Sequence, residues 1–284
     1  MGCGPIATAG PGCRTTASGI VFPDELDESS GVAISLRHPG TYWTHNDAGS
    51  VLYAVDREGS ITARFPLAES LRDWEDLAVS TCAEGGSCLY LADLGDNYEE
   101  RPAGRIRLHR VPEPDPTGSG AELNADGKLP IESFPMRLPD GPRDVEALLV
   151  FPGERVYVVT KGRNHPVTVY RYPPPLRPDT VTLEHVQELT SRARITPRQV
   201  TGGAVDPRGE VLALRTYESL QFYRMDGDTL AAIDGALVNL HTLQEGQGEG
   251  VGIGLDGLVA LTSEGGIAGG PASMTLMRCE LERL

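Results

Sequence analysis

The chain has 284 residues, of which 39% are hydrophobic and 23% charged, and its formal net charge is −15. The composition is typical of a globular protein, and the negative charge argues against a nucleic-acid partner, because a phosphate backbone is bound by a basic surface. No apolar run approaches the roughly 18 residues of a membrane span. The charge instead favours solubility or cation binding.

Residues 1–18 consist largely of Gly, Ala, Thr and Pro, and we interpret them as a flexible leader before a single domain of residues 19–284. The first residues lack the basic and apolar regions of a signal peptide. Two interpretations stay open. The protein is secreted, periplasmic or lipid-anchored and its signal peptide lies outside this sequence, or it is cytoplasmic.

Five cysteines bear on the compartment. Cys82 and Cys88 flank a Gly-rich hairpin turn, and we expect them to form a disulfide, which indicates an oxidising compartment. The alternative is two buried free thiols. The pairing of Cys3, Cys13 and Cys279 stays open.

Short apolar segments separated by turns begin after Gly31. The first four are residues 32–35, 42–45, 51–55 and 61–67. Such spacing is typical of an antiparallel meander. A second round continues to residue 138 and holds two insertions, at 98–104 and 113–128. Three more rounds follow, and the last lacks a fourth strand, which residues 20–22 would supply by joining the two ends of the chain.

Each round starts with an acidic or hydroxyl residue directly before an apolar or Gly-rich run. These five residues are Ser30, Glu75, Glu146, Thr201 and Glu249. Four-stranded repeats of about 40–50 residues are typical of propeller blades. The sequence therefore predicts an all-β, five-bladed β-propeller of four-stranded antiparallel blades. Six blades are the alternative if two blades are merged between Glu75 and Glu146.

The innermost strand of each propeller blade lines the central channel, so the five starting residues should form one ring at its entrance. We call Ser30, Glu75, Glu146, Thr201 and Glu249 the hub ring. Three ionised carboxylates on one ring repel one another, and burying them unpaired is costly. Ca²⁺ accepts such a shell of oxygen ligands, whereas the absence of His from the ring disfavours Zn²⁺. Asp76, the next residue after Glu75, is expected to point away from the axis.

Further polar residues are expected at the mouth, the open end of the channel above the hub ring. Those two positions before the ring residues are Glu28, Asp73, Asp144, Gln199 and Gln247. Those at the ends of the second strands are Asn46, Asp47, Asp93, Lys161, Arg215, Ser263 and Glu264. The insertion residues Asp96, Asn97, Arg101 and Arg105 are candidates for a lid. Trp43 and Trp74 are expected to pack between blades.

The five blade starts resemble those of the calcium-activated nucleotidase (apyrase) family. The order hydroxyl, Glu, Glu, hydroxyl, Glu matches Ser30, Glu75, Glu146, Thr201 and Glu249. The resemblance implies a five-bladed propeller with a central calcium, but it covers only these short motifs. Motifs such as Trp74-Glu75-Asp76 and Asp144-Val145-Glu146 are also similar to a bacterial group of often secreted, uncharacterised propellers.

Two functions fit this pattern. In the first, the protein is a calcium-dependent hydrolase of a phosphate ester, phosphoanhydride or lactone, and a monomer that takes a small, anionic substrate. Asp47, Asp93 or Asp144 is then the general base, and Lys161 and Arg215 hold the negative group. In the second, the calcium is structural and the mouth binds a glycan, a peptide or a protein partner.

Overall fold

The computed structural model describes residues 11–117, 123–265 and 270–284. The first strand, β1 (Arg14–Val21), starts before the segment 20–22 that the sequence predicts. Residues 14–18, which the sequence analysis places in a leader, are therefore part of a sheet. Of the described residues, no helix is long and apolar enough to cross a membrane.

The strands form five sheets within the described residues, and each sheet is one blade. Blade 1 comprises β2 (Ser29–Ile34), β3 (Tyr42–Asn46), β4 (Val51–Val55) and β5 (Ile61–Pro66). Blade 2 comprises β6 (Trp74–Thr81), β7 (Ser87–Asp93), β8 (Arg105–Pro112) and β9 (Glu132–Arg137), and β13 (Val181–Thr182) adds a fifth, parallel strand to its outer edge. The prediction of five blades is confirmed, and the six-bladed alternative is wrong.

The other three blades repeat the antiparallel pattern. Blade 3 comprises β10 (Val145–Phe151), β11 (Arg155–Thr160), β12 (Thr168–Arg171) and β14 (Glu184–Glu188). Blade 4 comprises β15 (Val200–Val205), β16 (Leu212–Thr216), β17 (Ser219–Asp226) and β18 (Thr229–Asn239). Blade 5 comprises β19 (Gln247–Ile253), β20 (Leu258–Glu264) and β21 (Ser273–Arg278), and β1 pairs with β21 as its outer strand.

Short 3-10 turns occur between the strands. They are Asp24–Leu26, Pro102–Gly104, Thr196–Arg198, His241–Leu243, Leu255–Gly257 and Leu281–Arg283.

The hydrophobic core is divided among the contacts between neighbouring blades. Trp43 of blade 1 and Trp74 of blade 2, both fully buried, lie in one such cluster with Leu52 and Leu91. This confirms the prediction that both tryptophans pack between blades. Because every blade is sandwiched between two others, the ring must be closed for the apolar faces of the first and last blades to be buried.

The closure joins the two ends of the chain. Blade 5 takes its outer strand from the N-terminal side, and a disulfide between Cys13 and Cys279 links that strand to the C-terminal segment. A second disulfide joins Cys82 and Cys88, as predicted. Cys3 lies outside the described residues.

Loss of the closing disulfide should cost more stability than loss of the hairpin disulfide. The first bridge spans 266 residues and the second spans 6. A longer closed loop restricts the unfolded chain more, so the expected losses in free energy of unfolding are about 5 kcal/mol for Cys13→Ser/Cys279→Ser and about 2 kcal/mol for Cys82→Ser/Cys88→Ser. Urea unfolding of both double variants checks the order, and a larger loss for the hairpin pair would contradict this account of closure.

Candidate metal centre

The pairing of first and second strands slips at the hub ring in every blade. The interruptions lie between Ser29 and Val32, Trp74 and Asp76, Val145 and Ala147, Val200 and Gly202, and Gly248 and Val251. Each interruption contains the predicted ring residue. A β-bulge leaves the extra residue unpaired and changes the direction of its side chain. All five blades therefore have the same irregularity at the predicted ring residue.

The positions directly after the ring residues lie close to the channel axis, and four of them are small. They are Gly31, Ala147, Gly202 and Gly250. A Cβ on Gly250 would come within 2.7 Å of the Ser30 carbonyl oxygen, and one on Gly202 within 2.7 Å of the Glu249 carbonyl oxygen. The innermost strands therefore approach one another too closely here for most side chains.

Asp76 occupies the fifth of these positions, and its carboxylate crosses the axis. Its Oδ2 accepts hydrogen bonds from the backbone N–H of Leu148 in blade 3 (2.9 Å) and of Gly203 in blade 4 (3.2 Å). Its Oδ1 accepts the N–H of Leu77 at 2.9 Å. The prediction that Asp76 points away from the axis is wrong, because the bulge between Trp74 and Asp76 shifts the alternation of side chains by one residue.

Three carboxylates meet directly above Asp76. One oxygen from each of Glu75, Asp144 and Glu146 lies within 4.8 Å of the other two, and all three residues are buried. Glu75 has neither a hydrogen bond nor an ion pair with any described residue. Asp144 Oδ1 accepts the N–H of Asp96 at 3.0 Å, but its buried Oδ2 has no hydrogen-bond partner among the described residues.

Lys161 brings one positive charge to this cluster. It follows β11, and its ammonium group donates to Glu146 Oε1 and lies 3.8 Å from Asp144 Oδ2. Burial lowers the Lys161 pKa, but the carboxylates of Glu146, Asp144 and Glu75 outweigh burial and raise it above its usual value. Lys161 is thus a fixed cation that offsets part of the negative charge.

The remaining ring residues are buried but differ in their contacts. Glu249 Oε1 accepts a hydrogen bond from Gln247 Nε2 at 2.8 Å, and Thr201 Oγ1 donates to the Glu249 carbonyl oxygen at 3.1 Å. The Ser30 hydroxyl lies close enough to the Asp47 carboxylate to affect its pKa. Burial, followed by the charge of Glu146, raises the pKa of Glu249 well above its usual value. Among the five ring residues, Glu75 and Glu146 thus bring their carboxylates together, whereas the hydroxyls of Ser30 and Thr201 contact neighbouring groups.

The mouth carries two acids whose pKa values lie near neutrality. Burial raises the pKa of Asp47 to about 6, although the nearby Ser30 hydroxyl opposes this shift. Burial, followed by the charge of the neighbouring Asp47, raises the pKa of Glu264 to about 8. Tyr217, which the sequence analysis missed, lies close enough to Glu249 and Lys161 for their charges to act on its hydroxyl. A lone Tyr in a turn gives no sequence signal.

Two predicted site residues make their contacts away from the carboxylate cluster. Asp93 Oδ1 accepts from Arg101 Nη2 at 2.7 Å, inside the insertion of blade 2. Arg215 Nη1 donates to the carbonyl oxygens of Gly250 (2.6 Å) and Thr262 (2.9 Å), and its Nη2 pairs with Glu245. Both arginines are buried and hold neighbouring segments together.

The insertion in blade 2 covers one side of the mouth. Asp96 and Arg101 of the predicted lid are buried, and Asn97 accepts from Arg163 Nη2 at 2.9 Å. Arg105 is exposed at the start of β8. Arg163 also lies 3.8 Å from Asp144 Oδ2. The N–H of Asp96 also donates to Asp144 Oδ1, so the insertion holds the Asp144 carboxylate in the three-carboxylate cluster.

The channel is narrow on the opposite side. Below Asp76 it is lined by apolar residues, including Val32, Leu77, Val150 and Val251, and encloses only about 10 Å³. This is about the space of one water molecule. A ligand would therefore reach the cluster through the mouth.

The donor set fits a hard divalent cation. Carboxylate oxygens at the cluster come from Glu75, Asp144 and Glu146, with Glu249 beside them, and the only ammonium group contacting them within the described residues belongs to Lys161. If all four acids are ionised, Lys161 and Arg163 together leave an excess of negative charge. Asp144 Oδ2 accepts no hydrogen bond from a described residue and its two cationic neighbours are each 3.8 Å away, so it is an oxygen of the kind that Ca²⁺ accepts as a ligand. A Cβ at Gly95 would lie 1.9 Å from Glu75 Oε1, so glycine is required beside this carboxylate.

Comparison with known proteins supports the fold. The PQQ-bound aldose sugar dehydrogenase from Streptomyces coelicolor aligns with a TM-score of 0.52 and 13% identity over 94% of this chain and 98% of its own. A luciferin-regenerating enzyme aligns with a TM-score of 0.51 and 11% identity over 95% of each chain. A gluconolactonase from Xanthomonas campestris gives 0.45 and 16% identity over 87% of this chain and 71% of its own.

At these identities the likeness shows the propeller fold alone. No protein-family model matches the chain, and no curated protein matches its sequence. The resemblance of the blade starts to apyrases is not tested by these comparisons and stays an expectation.

Asp76→Asn should destabilise the fold. The Asp76 carboxylate accepts three backbone N–H groups, and the amide nitrogen of Asn is a donor that would face at least one of them. The expected loss is about 2–3 kcal/mol in free energy of unfolding. Asp234→Asn is the control, since Asp234 is exposed on β18 and should change stability by less than about 0.5 kcal/mol. Equal denaturation midpoints for the two variants would show that Asp76 does not hold the blades together.

The effect of calcium on thermal stability should grow with pH. Burial raises the pKa of Glu146 to about 8. An acid with a raised folded-state pKa stabilises the calcium-free fold at low pH, and this contribution is lost as pH rises from about 4.5 to about 8. Calcium binds the deprotonated acids, so it should raise the melting temperature more at about pH 8 than at about pH 5. Melting scans with calcium or with chelator test this, and a larger calcium effect at low pH would contradict it.

Proposed function

We propose that the mouth is the active site of a calcium-dependent hydrolase. The observation that carries the proposal is the meeting of Glu75, Asp144 and Glu146 oxygens within 4.8 Å, above a narrow apolar part of the channel. The cation would polarise a substrate oxygen and lower the pKa of a bound water. Glu75, Asp144 and Glu146 would hold it, with Glu249 adding negative charge.

Asp47 is the proposed general base. A carboxyl with a pKa of about 6 is mostly ionised at neutral pH yet basic enough to accept a proton. The nearby Ser30 hydroxyl opposes the effect of burial on this pKa. Glu264, with a pKa of about 8, is mostly protonated at neutral pH and is the matching acid. Two carboxyl groups with different pKa values in one mouth suit a reaction in which a proton is taken from water and another is given to a leaving group.

The substrate is proposed to be a small phosphate ester, phosphoanhydride or lactone. Lys161 contributes positive charge beside Asp144 and Glu146, which reduces the repulsion of an anionic substrate by the acidic mouth. Asp93 and Arg215 act as positioning residues in this proposal, because Arg101 and the backbone of blade 5 already bind them. The two disulfides suit an oxidising compartment, and a secreted or periplasmic monomer fits the proposal.

A binding module with a structural calcium is the second candidate. The carboxylate of Asp76 already links backbone groups of blades 2, 3 and 4, so a cation in the layer above it would extend the same linkage. In that case the mouth binds a glycan, a peptide or a protein without turnover.

Variants at the floor and at the mouth separate the two candidates. Hydrolysis of p-nitrophenyl phosphate, a nucleoside triphosphate and δ-gluconolactone is measured with calcium or chelator. Glu75→Gln should lose both calcium binding and activity, whereas Asp47→Asn should bind calcium but lose about a hundredfold or more in kcat. Asp234→Asn serves as the control. Full activity in Glu75→Gln and Asp47→Asn would rule out the hydrolase. Calcium-dependent melting without any turnover would favour the binding module.

A further inference from the structure

A groove of about 600 Å³ lies between blades 3 and 4, outside the central channel. Its floor is apolar and includes Val167, Val200 and Leu214, which are all buried. Leu237 stands at its edge with 59% of its surface exposed, an unusual exposure for a leucine on a strand of this protein. The volume is within the range of about 300–1,000 Å³ that is common for small-molecule sites.

Two hydrogen-bond donors of this groove are unused. The exposed Arg194 guanidinium and the Tyr223 hydroxyl make no hydrogen bond or ion pair with any described residue. They lie close enough for the charge of Arg194 to act on the tyrosine. Two other polar side chains of the groove, Arg198 and Gln221, are already engaged. Arg198 lies 3.3 Å from Glu218, and Gln221 Nε2 donates to the Phe222 carbonyl oxygen at 2.8 Å.

The groove also differs from the rest of the protein in charge. Its charged lining residues are Arg194, Arg198 and Glu218, and His241 and Tyr223 also titrate. With Arg198 paired to Glu218, Arg194 remains as an uncompensated positive charge in a chain of net charge −15. An uncompensated arginine above an apolar floor complements a ligand with one negative group and an apolar body.

We propose that this groove binds a small carboxylic acid with an apolar chain or ring. The carboxylate accepts hydrogen bonds from the Arg194 guanidinium and the Tyr223 hydroxyl, which no described protein group uses. The apolar body lies on Val167, Val200 and Leu214 and is covered at the edge by Leu237. None of the hub ring residues lines the groove, although Val200 directly precedes Thr201, so the site is separate from the proposed active site.

Calorimetric titration with octanoate, octanol and acetate tests the two parts of this recognition. Octanoate should bind saturably with a Kd of about 1 mM or tighter, and octanol and acetate should each bind at least about tenfold more weakly. Octanoate affinity should be the same with calcium and with chelator. Absence of saturable octanoate binding, equal affinity for acetate, or a requirement for calcium would overturn the proposal.

Three variants locate the site. Arg194→Ala and Leu237→Glu should each weaken octanoate binding by about tenfold or more. Arg192→Ala is the matched control, because Arg192 is an exposed arginine of the same loop that does not line the groove, and its affinity should match the wild type. Melting curves establish that each variant is folded, and the two changes to exposed residues provide independent tests. Unchanged binding in both Arg194→Ala and Leu237→Glu would place octanoate elsewhere.

Discussion

Repulsion among buried carboxylates at the hub is the constraint on which the rest of the structure depends. Asp76 accepts three backbone N–H groups, which offset part of the cost of its charge, but burial outweighs them and raises its pKa well above the usual value. Glu75, Asp144 and Glu146 have fewer such donors, and Lys161 balances only part of their charge. Burial therefore favours either protonated acids or a bound cation. A propeller with an empty, fully ionised hub would be unstable.

The same constraint links stability to chemistry. Within one channel the structure has three layers: an apolar base, a carboxylate layer at Asp76 and the hub ring, and a mouth with Asp47 and Glu264. The acids of the mouth have raised pKa values because they are partly buried beside other acids. Neutral pH then lies between the pKa values of Asp47 and Glu264, as proton transfer requires. The buried acids near the channel axis thus hold blades together and, in the proposed hydrolase, set the pKa values of the acids at the mouth.

The repeat pattern predicts the blade number correctly, and it places one starting residue of each blade near one axis. Glu75 and Glu146 meet there, and their role as metal ligands stays a prediction. The pattern fails at Asp76, since strict alternation does not reveal a bulge, although Asp76 stands out among Gly31, Ala147, Gly202 and Gly250. Arg215 and Asp93 could not be placed, because Arg215 bonds to the backbone of the neighbouring blade and Asp93 pairs with Arg101 of an insertion that has no repeat pattern. The partner of Cys279 depends on where β1 begins, and a Gly-rich segment gives no signal of that.

The most direct test of a cation at the hub is a crystal structure grown with Mn²⁺ as an anomalously scattering substitute for Ca²⁺. The account predicts one strong anomalous peak on the channel axis, bonded to oxygens of Glu75, Asp144 and Glu146, with Asp76 below it still bound to backbone N–H groups. An anomalous map without a peak there, with the Lys161 ammonium group at the centre of the three carboxylates, would contradict it.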